Sequence, residues 1–139
     1  MVIEGQKVLV LAPHPDDGEF SCGGSLKRFA EEGAIIHYVA FSPCIKSLPP
    51  GFEGNILFEE LKNAAAILGI APSGIKTFDF RVREFPKYRQ EILEEMIKIR
   101  KEIKPDLVLM PNSMDIHQDH NTIYKEGLRA FKHTKILGY

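Results

Sequence analysis

One stretch near the N-terminus decides the fold of this chain: Lys7-Val8-Leu9-Val10-Leu11-Ala12-Pro13-His14-Pro15-Asp16-Asp17-Gly18-Glu19. Its first half is a short apolar run closed by Pro13, which is typical of a strand that is buried on both faces of a parallel sheet. Its second half is polar and contains one histidine and several carboxylates. The pattern therefore predicts a loop of chemically active side chains directly after the first strand, at its carboxyl end.

Apolar strands and amphipathic helices alternate along the rest of the chain. The residue types predict further strands at 34–41, 75–78, 107–110 and 135–139. They predict helices at 25–32, 56–68, 88–103 and within 117–131, the last with Ile123, Leu128 and Phe131 facing inward. This order predicts one α/β domain over residues 1–139, a three-layer Rossmann-like fold whose mostly parallel sheet has the strand order 3-2-1-4-5.

Composition narrows the class of protein. With 139 residues and a formal net charge of −1, the chain has no basic surface for nucleic acid, and its apolar runs are too short to cross a membrane. Residues 1–7 lack the pattern of a signal peptide. Cys22 and Cys44 form no CxxC pair and are interpreted as reduced thiols, so we expect a cytoplasmic protein that acts on small polar substrates.

Two polar loops are predicted to meet at one edge of the sheet. His14, Asp16 and Asp17 follow the first strand, and His117 and the segment 119–120 follow the fourth. In a doubly wound sheet these two strands are neighbours across the point where the strand order reverses, and ligands bind in the crevice outside their carboxyl ends. The two loops should therefore face each other across one cleft.

The side chains of these loops suit a hydrolytic metal site. A catalytic zinc usually takes three ligands from histidine and carboxylate, and His14, Asp17 and His120 offer such a set. A carboxylate outside the ligands must accept the proton of the attacking water, and Asp16 is the natural candidate. His117 can stabilise the oxyanion, protonate the leaving amine, or do both.

At this point the sequence resembles a known group of enzymes, the PIG-L/LmbE-like N-deacetylases. The segment 13–19, followed by Cys22-Gly23-Gly24, is similar to their HPDDE signature, and His117-Gln118-Asp119-His120 is similar to their HxDH element. The resemblance extends to Leu68-Gly69-Ile70 and to Pro105-Asp106-Leu107-Val108, so it covers nearly the whole chain.

The resemblance implies a function and a role for each residue. It implies His14, Asp17 and His120 as metal ligands, Asp16 as general base and His117 as electrophile or acid. It also implies zinc as the metal, although ferrous iron fits the same ligands. The implied reaction is hydrolysis of the N-acetyl group of an amino sugar or its conjugate, which releases acetate and a free amine.

The sequence departs from this family in two respects. Gly18 stands between the aspartates and Glu19, so the motif is HPDDGE. Members of the family usually run well past this length, so we expect a domain that is incomplete at its C-terminus. An edge strand at 135–139 would then expose backbone groups and an apolar face, and we expect the chain to self-associate through it.

Several interpretations stay open. Asp119 either orients His117 or caps the following helix, and Arg81 and Arg83 either bind a substrate hydroxyl or phosphate or are ordinary solvated arginines. Gly23 and Gly24, taken as a helix start, can hold a phosphate. The same two histidines and one carboxylate would also suit the iron of an oxygenase. A non-catalytic metal- or sugar-binding module is the third interpretation.

Overall fold

A five-stranded parallel sheet forms the centre of the structure. The structure is a computed structural model that describes residues 4–139. Its strands are β1 Lys7–Ala12, β2 Ile35–Ala40, β3 Ile75–Thr77, β4 Leu107–Met110 and β5 Lys135–Gly138. The helices are α1 Asp17–Glu31, α2 Ile56–Leu68, α3 Arg89–Ile103 and α4 Gln118–Ala130, with short 3-10 turns at Ile45–Ser47, Pro72–Gly74 and Phe85–Lys87. The strand order β3-β2-β1-β4-β5 confirms the predicted α/β topology. Residues 1–3, part of the predicted domain, lie outside the described residues.

Helices cover both faces of the sheet because β1 is apolar on both sides. Val8 and Val10 pack with α1 and α2, whereas Leu9 and Leu11 pack with α3 and α4. All four side chains are fully buried. This arrangement confirms the prediction of a three-layer domain. Within residues 4–139 no helix is long and apolar enough to cross a bilayer.

Helix α1 begins eight residues earlier than the sequence pattern indicated. It starts at Asp17, so the end of the polar motif forms its first turn. The helix is kinked at Cys22, whose φ of −140° is not helical, so a second helical segment begins near Gly23 and Gly24. The helical segment predicted from residue 25 is thus the second part of α1, and phosphate binding at these glycines stays a prediction. Polar and glycine residues have low helix propensity, which hid this turn, but Asp17 and Glu19 are favourable near the positive end of the helix dipole.

The inward face of α4 also differs from the prediction. Leu128 is 41% exposed, while Ile123, Gly127 and Ala130 are buried. A Cβ atom on Gly127 would lie 2.5 Å from the sulfur of Met110. The close approach of α4 to β4 therefore requires glycine to face the sheet, and this rotates Leu128 towards solvent.

The C-terminal strand is the sheet edge that the sequence predicted. β5 pairs with β4 alone in the described part of the chain, and Leu137 is 56% exposed. Tyr139 is nevertheless tied to the sheet, because its N–H donates to the carbonyl of Met110 (3.0 Å) and its hydroxyl donates to the carbonyl of Leu11 (2.9 Å). The chain is thus held at Tyr139, beside the end of β1 that leads into the polar motif.

Tyr38 on β2 sets the position of that motif. Its hydroxyl accepts a hydrogen bond from the N–H of Gly18 (3.0 Å) and lies 3.0 Å from the carbonyl of Pro15. The carboxyl group of Glu19 also bonds to this hydroxyl. A Cβ at position 18 would lie 2.6 Å from the tyrosine ring. Gly18, the departure from the family motif, therefore permits the close contact between α1 and β2, and Glu19 is occupied on Tyr38.

Replacing Gly18 by alanine tests this contact. We expect Gly18→Ala to lower the free energy of unfolding by about 1–3 kcal/mol, the usual cost of overpacking. Gly24→Ala is the matched control, since nothing lies within 4 Å of a Cβ there and alanine favours the helix by about 0.5–1 kcal/mol. Urea unfolding of both variants measures the difference. Equal stability of the two would contradict the account.

Candidate metal centre

The two polar loops meet because β1 and β4 are parallel neighbours. Three donor atoms converge there. The Nδ1 of His14 lies 3.3 Å from the Oδ2 of Asp17, the Nε2 of His120 lies 3.2 Å from the same oxygen, and the two ring nitrogens are 3.2 Å apart. The sequence placed these residues in one cleft, and the structure brings them into direct contact.

The spacing of these atoms fits a tetrahedral metal ion. Zinc binds nitrogen and oxygen ligands at about 2.0–2.1 Å, so two ligand atoms on one tetrahedron lie about 3.3–3.4 Å apart. The three observed separations, 3.2–3.3 Å, are close to that edge. The side chains of His14, Asp17 and His120 are only 12–16% exposed. The donor set and its geometry therefore suit a catalytic zinc or a similar divalent ion.

Each of the two histidines is held by a carboxylate on its other nitrogen. The Nε2 of His14 lies 3.0 Å from the Oδ2 of Asp119, and the Nδ1 of His120 lies 2.6 Å from the Oδ2 of Asp115. A carboxylate only accepts, so these nitrogens carry the proton in the neutral rings. The remaining lone pairs then point at Asp17, as in metal sites whose histidines donate to a carboxylate.

Asp115 has a role that the sequence did not indicate. It lies in the connector after β4, where no function was predicted for it. Its Oδ1 accepts the N–H of His117 (2.9 Å) in addition to the bond with His120, so the carboxylate fixes both the loop and the ring of His120. The signal in the sequence is an acidic residue five positions before a proposed ligand, which is weak because acidic residues are common in exposed loops.

The carboxylate of Asp119 holds His14, whereas the sequence suggested His117 or a helix cap. Its carboxylate is fully buried and accepts the N–H of Arg83 (2.6 Å) and of Phe85 (3.2 Å) besides its bond to His14. The carboxylate has no hydrogen bond to His117 and is not the cap of α4 within residues 4–139; only the backbone N–H of Asp119 bonds to the ring of His117. The long-range partners, in the loop after β3 and in the N-terminal motif, have no signature in the local sequence.

His117 caps helix α4 with its own ring. Its Nδ1 accepts the N–H of Asp119 at 3.1 Å. This nitrogen must therefore carry a lone pair, and the proton of the neutral ring is on Nε2. A ring nitrogen of His117 lies within 4.8 Å of those of His14 and His120, which would make a three-histidine ligand set. The protonated Nε2 cannot ligate a metal while the cap persists, so the set with Asp17 is favoured.

The charges of the cluster explain the pKa shifts at the centre. Burial by itself lowers the pKa of His14, but the carboxylates of Asp119 and Asp17 outweigh it and raise the pKa to about 9. The pKa of His120 is also raised, because Asp17 and Asp115 outweigh its burial. The same histidines hold the pKa of Asp17 well below its usual range against the effect of burial. The site thus favours positive charge, which a divalent cation would supply.

Asp16 and Arg83 lie outside the triangle of donor atoms. Asp16 is exposed at the start of α1 and lines a groove with Leu57 and Leu61 of α2. The guanidinium of Arg83 donates to the carbonyl of Lys46 (3.1 Å), and only its backbone N–H reaches the centre. Arg81 is exposed. No contact therefore aims the Arg83 side chain at the metal ligands within residues 4–139.

The sequence profile of the PIG-L family, described as GlcNAc-PI de-N-acetylase, matches residues 9–131. This chain belongs to the PIG-L family. The matched range contains both polar loops and every residue of the candidate metal centre described above. This match confirms the family that the sequence resemblance predicted.

Several proteins similar to this chain are named as deacetylases. The chain is 32% identical to diacetylchitobiose deacetylase of Thermococcus kodakarensis over 90% of its own length and 49% of that protein. It is 33% identical to an uncharacterized deacetylase of Escherichia coli over 95% of its length and 72% of that protein. The solved structure of N,N'-diacetylchitobiose deacetylase from Pyrococcus horikoshii superposes with a TM-score of 0.80 at 26% identity, covering 90% of this chain and 49% of that one. The chain thus spans about half the length of the two chitobiose deacetylases.

The pKa shifts predict how the stability of the metal-free protein depends on pH. His14 binds its proton more tightly in the folded state, so this contribution is present below about pH 6.5 and is lost as the pH rises through 9. Asp17 stays ionised across this interval and its contribution does not change. We expect the free energy of unfolding to fall by about 1–3 kcal/mol between pH 6.5 and 9.

Urea unfolding in the presence of a chelator measures this dependence. The control is His14→Gln, which removes one of the two histidines with a raised pKa and should make the profile less steep, while His120 still titrates. A wild-type stability that is constant or rises over this interval would refute the electrostatic account of the centre.

Proposed function

We propose that this PIG-L family member is a metal-dependent N-deacetylase that removes the acetyl group from an amino sugar or its conjugate. The main support is the triangle of donor atoms from His14, Asp17 and His120. Both histidines are also hydrogen-bonded to carboxylates through their other ring nitrogens. The names of the relatives support the reaction and the sugar substrate class. Zinc is the proposed metal, since two histidines and one carboxylate are a common ligand set of catalytic zinc.

The proposed ligands leave distinct tasks to the other residues. When bound, a divalent metal would polarise the acetyl carbonyl and lower the pKa of a water molecule. His14, Asp17 and His120 hold that ion, while Asp119 and Asp115 keep the two rings in the required tautomer. Their carboxylates also strengthen the rings as electron donors.

Asp16 is the proposed general base. It is the neighbour of Asp17 in the chain, yet its carboxylate is exposed and does not cap α1 within residues 4–139. Such a carboxylate is free to accept the proton of the water whose oxygen attacks the acetyl carbon. The same proton is then available for the amine nitrogen when the C–N bond breaks. The products are a neutral amine and acetic acid, which retains the second proton of the water and ionises to acetate in solution.

His117 is proposed to stabilise the oxyanion rather than to act as an acid. Its cap to α4 leaves Nε2–H as the donor of the ring, and a ring nitrogen of His117 lies within 4.8 Å of those of His14 and His120. Burial, followed by the charge of nearby His14, lowers the pKa of His117, so the ring is neutral at pH 7. If the ring were doubly protonated, Nδ1–H would face the N–H of Asp119. Two donors would then repel each other and the cap would be lost. The geometry thus favours a fixed hydrogen-bond donor, which contributes to catalysis by electrostatic stabilisation.

Acetate release tests the function directly. Metal is first removed from the protein with a chelator, and the protein is then reloaded with Zn²⁺. It is incubated with N,N'-diacetylchitobiose or N-acetylglucosamine, and the acetate and free amine that it releases are measured. Equimolar, metal-dependent release of both supports the proposal. Bound metal without release would favour a binding module, and oxygen uptake by the Fe²⁺ form would favour an oxygenase. Absence of bound metal would refute the site.

A pair of substitutions distinguishes the two ligand sets. We expect Asp17→Ala to lower the affinity for Zn²⁺ by about 100-fold or more, because one of three ligands is lost. His117→Ala should keep the affinity within a few-fold and lose only a helix cap. Competition with a zinc chelator measures both. The opposite ranking would mean that the three histidines hold the metal.

A third substitution tests the general base. Asp16→Asn keeps the shape of the side chain, so we expect metal content to be unchanged and the hydrolysis rate to fall by about two to four orders of magnitude. Glu60→Gln is the control, because Glu60 is an exposed carboxylate that lines the same groove as Asp16. Loss of metal from the Asp16 variant would show that the roles of Asp16 and Asp17 are exchanged.

A further inference from the structure

Arg83 has a backbone conformation that arginine rarely adopts. Its φ angle is +68°, in the left-handed region, although it is not a glycine. Non-glycine residues in this region are uncommon and persist only where surrounding contacts hold them. The conformation occurs directly beside the metal centre, since the N–H of Arg83 donates to Asp119 at 2.6 Å.

The contacts of Asp119 explain why the turn is needed. Its Oδ2 accepts both the N–H of Arg83 and the Nε2–H of His14, while its Oδ1 accepts the N–H of Phe85 at 3.2 Å. Two backbone N–H groups two residues apart thus converge on one carboxylate. The carboxylate plane, and with it the ring of His14, is fixed by the path of the chain through residues 83–85.

The side chain of Arg83 reaches away from the centre and holds this path. Its guanidinium donates to the carbonyl of Lys46 (3.1 Å), in the loop after β2. The ammonium of Lys46 returns to the carboxylate of Glu84 at 2.6 Å, and the amide of Gln118 lies 3.4 Å from the carbonyl of Arg83. Arg83 is therefore clamped from three elements: the loop after β2, its own loop and the start of α4.

We propose that Arg83 is a positioning residue of the metal centre, which acts through Asp119 and His14. Its left-handed backbone aims an N–H at Asp119, and its guanidinium, bonded to Lys46, keeps the backbone in that conformation. The inference rests on the proposed metal site. It assigns Arg83 to ligand alignment, in place of the substrate contact that a loop arginine suggests.

The experiment separates the backbone of Arg83 from its side chain. Arg83→Ala loses the bond to Lys46 and still has to adopt the left-handed conformation. Arg83→Gly loses the same bond but adopts that conformation freely, and Arg83→Asn, which tolerates it well, is a second rescue variant. Arg81→Ala is the control, an exposed arginine two residues away whose φ is not positive.

Two measurements are made on each variant. In the metal-free protein, hydrogen exchange reports the amides at positions 83 and 85. We expect protection to fall about tenfold in Arg83→Ala and to be kept within about threefold in the glycine and asparagine variants. We then expect the affinity for Zn²⁺ to fall by about tenfold or more in Arg83→Ala alone, the usual effect of losing a partner behind a ligand.

The outcomes separate this inference from the proposed function. Equal losses in the alanine and glycine variants, or none in either, would overturn the inference, since backbone conformation would then play no part. If the wild type binds Zn²⁺ tightly and the alanine and glycine variants lose affinity equally, only the inference about Arg83 is refuted. Absence of Zn²⁺ binding by the wild type with the expected exchange pattern would refute the metal site and leave the positioning of Asp119 standing.

Discussion

The burial of the Asp119 carboxylate is the constraint on which the rest of the centre depends. An ionised carboxylate without water must be hydrogen-bonded, because leaving it unpaired costs several kcal/mol. Here the donors come from three places: the backbone of Arg83, the backbone of Phe85 and the ring of His14. Satisfying one buried charge therefore brings together the loop after β1, the loop after β3 and helix α4.

The same requirement determines the electrostatics of the site. Asp17, Asp115 and Asp119 surround only two imidazole rings, so the cluster has an excess of negative charge. In the metal-free protein the excess is offset by protons on His14 and His120, which is why their pKa values are raised. A divalent cation would offset the same negative charge, and the three donor atoms are spaced to bind it. Its binding should displace those protons, so affinity should rise with pH.

The three histidines have different chemical roles because their second nitrogens have different partners. His14 and His120 donate to carboxylates, which leaves a lone pair for a metal. His117 instead accepts a backbone N–H as the cap of α4, so its Nε2 carries the proton and is the donor that we propose for the oxyanion. Hydrogen bonds alone thus distinguish three residues of one type whose ring centres lie within 5.1 Å of one another, two of them proposed as ligands and one as a donor.

The sequence by itself determined the parallel sheet and its strand order, the family, and the two loops that would meet. Apolar periodicity and motif spacing are local properties, and the strand order follows from them through the rules of α/β topology. It did not determine that α1 begins at Asp17, that Leu128 faces solvent, or that Asp119 holds His14. The contacts of Asp115 and Arg83 were likewise decided only by the tertiary structure. The physical reason is that a buried polar group is satisfied by whichever donors the packed chain brings near, and those donors lie up to 105 residues away.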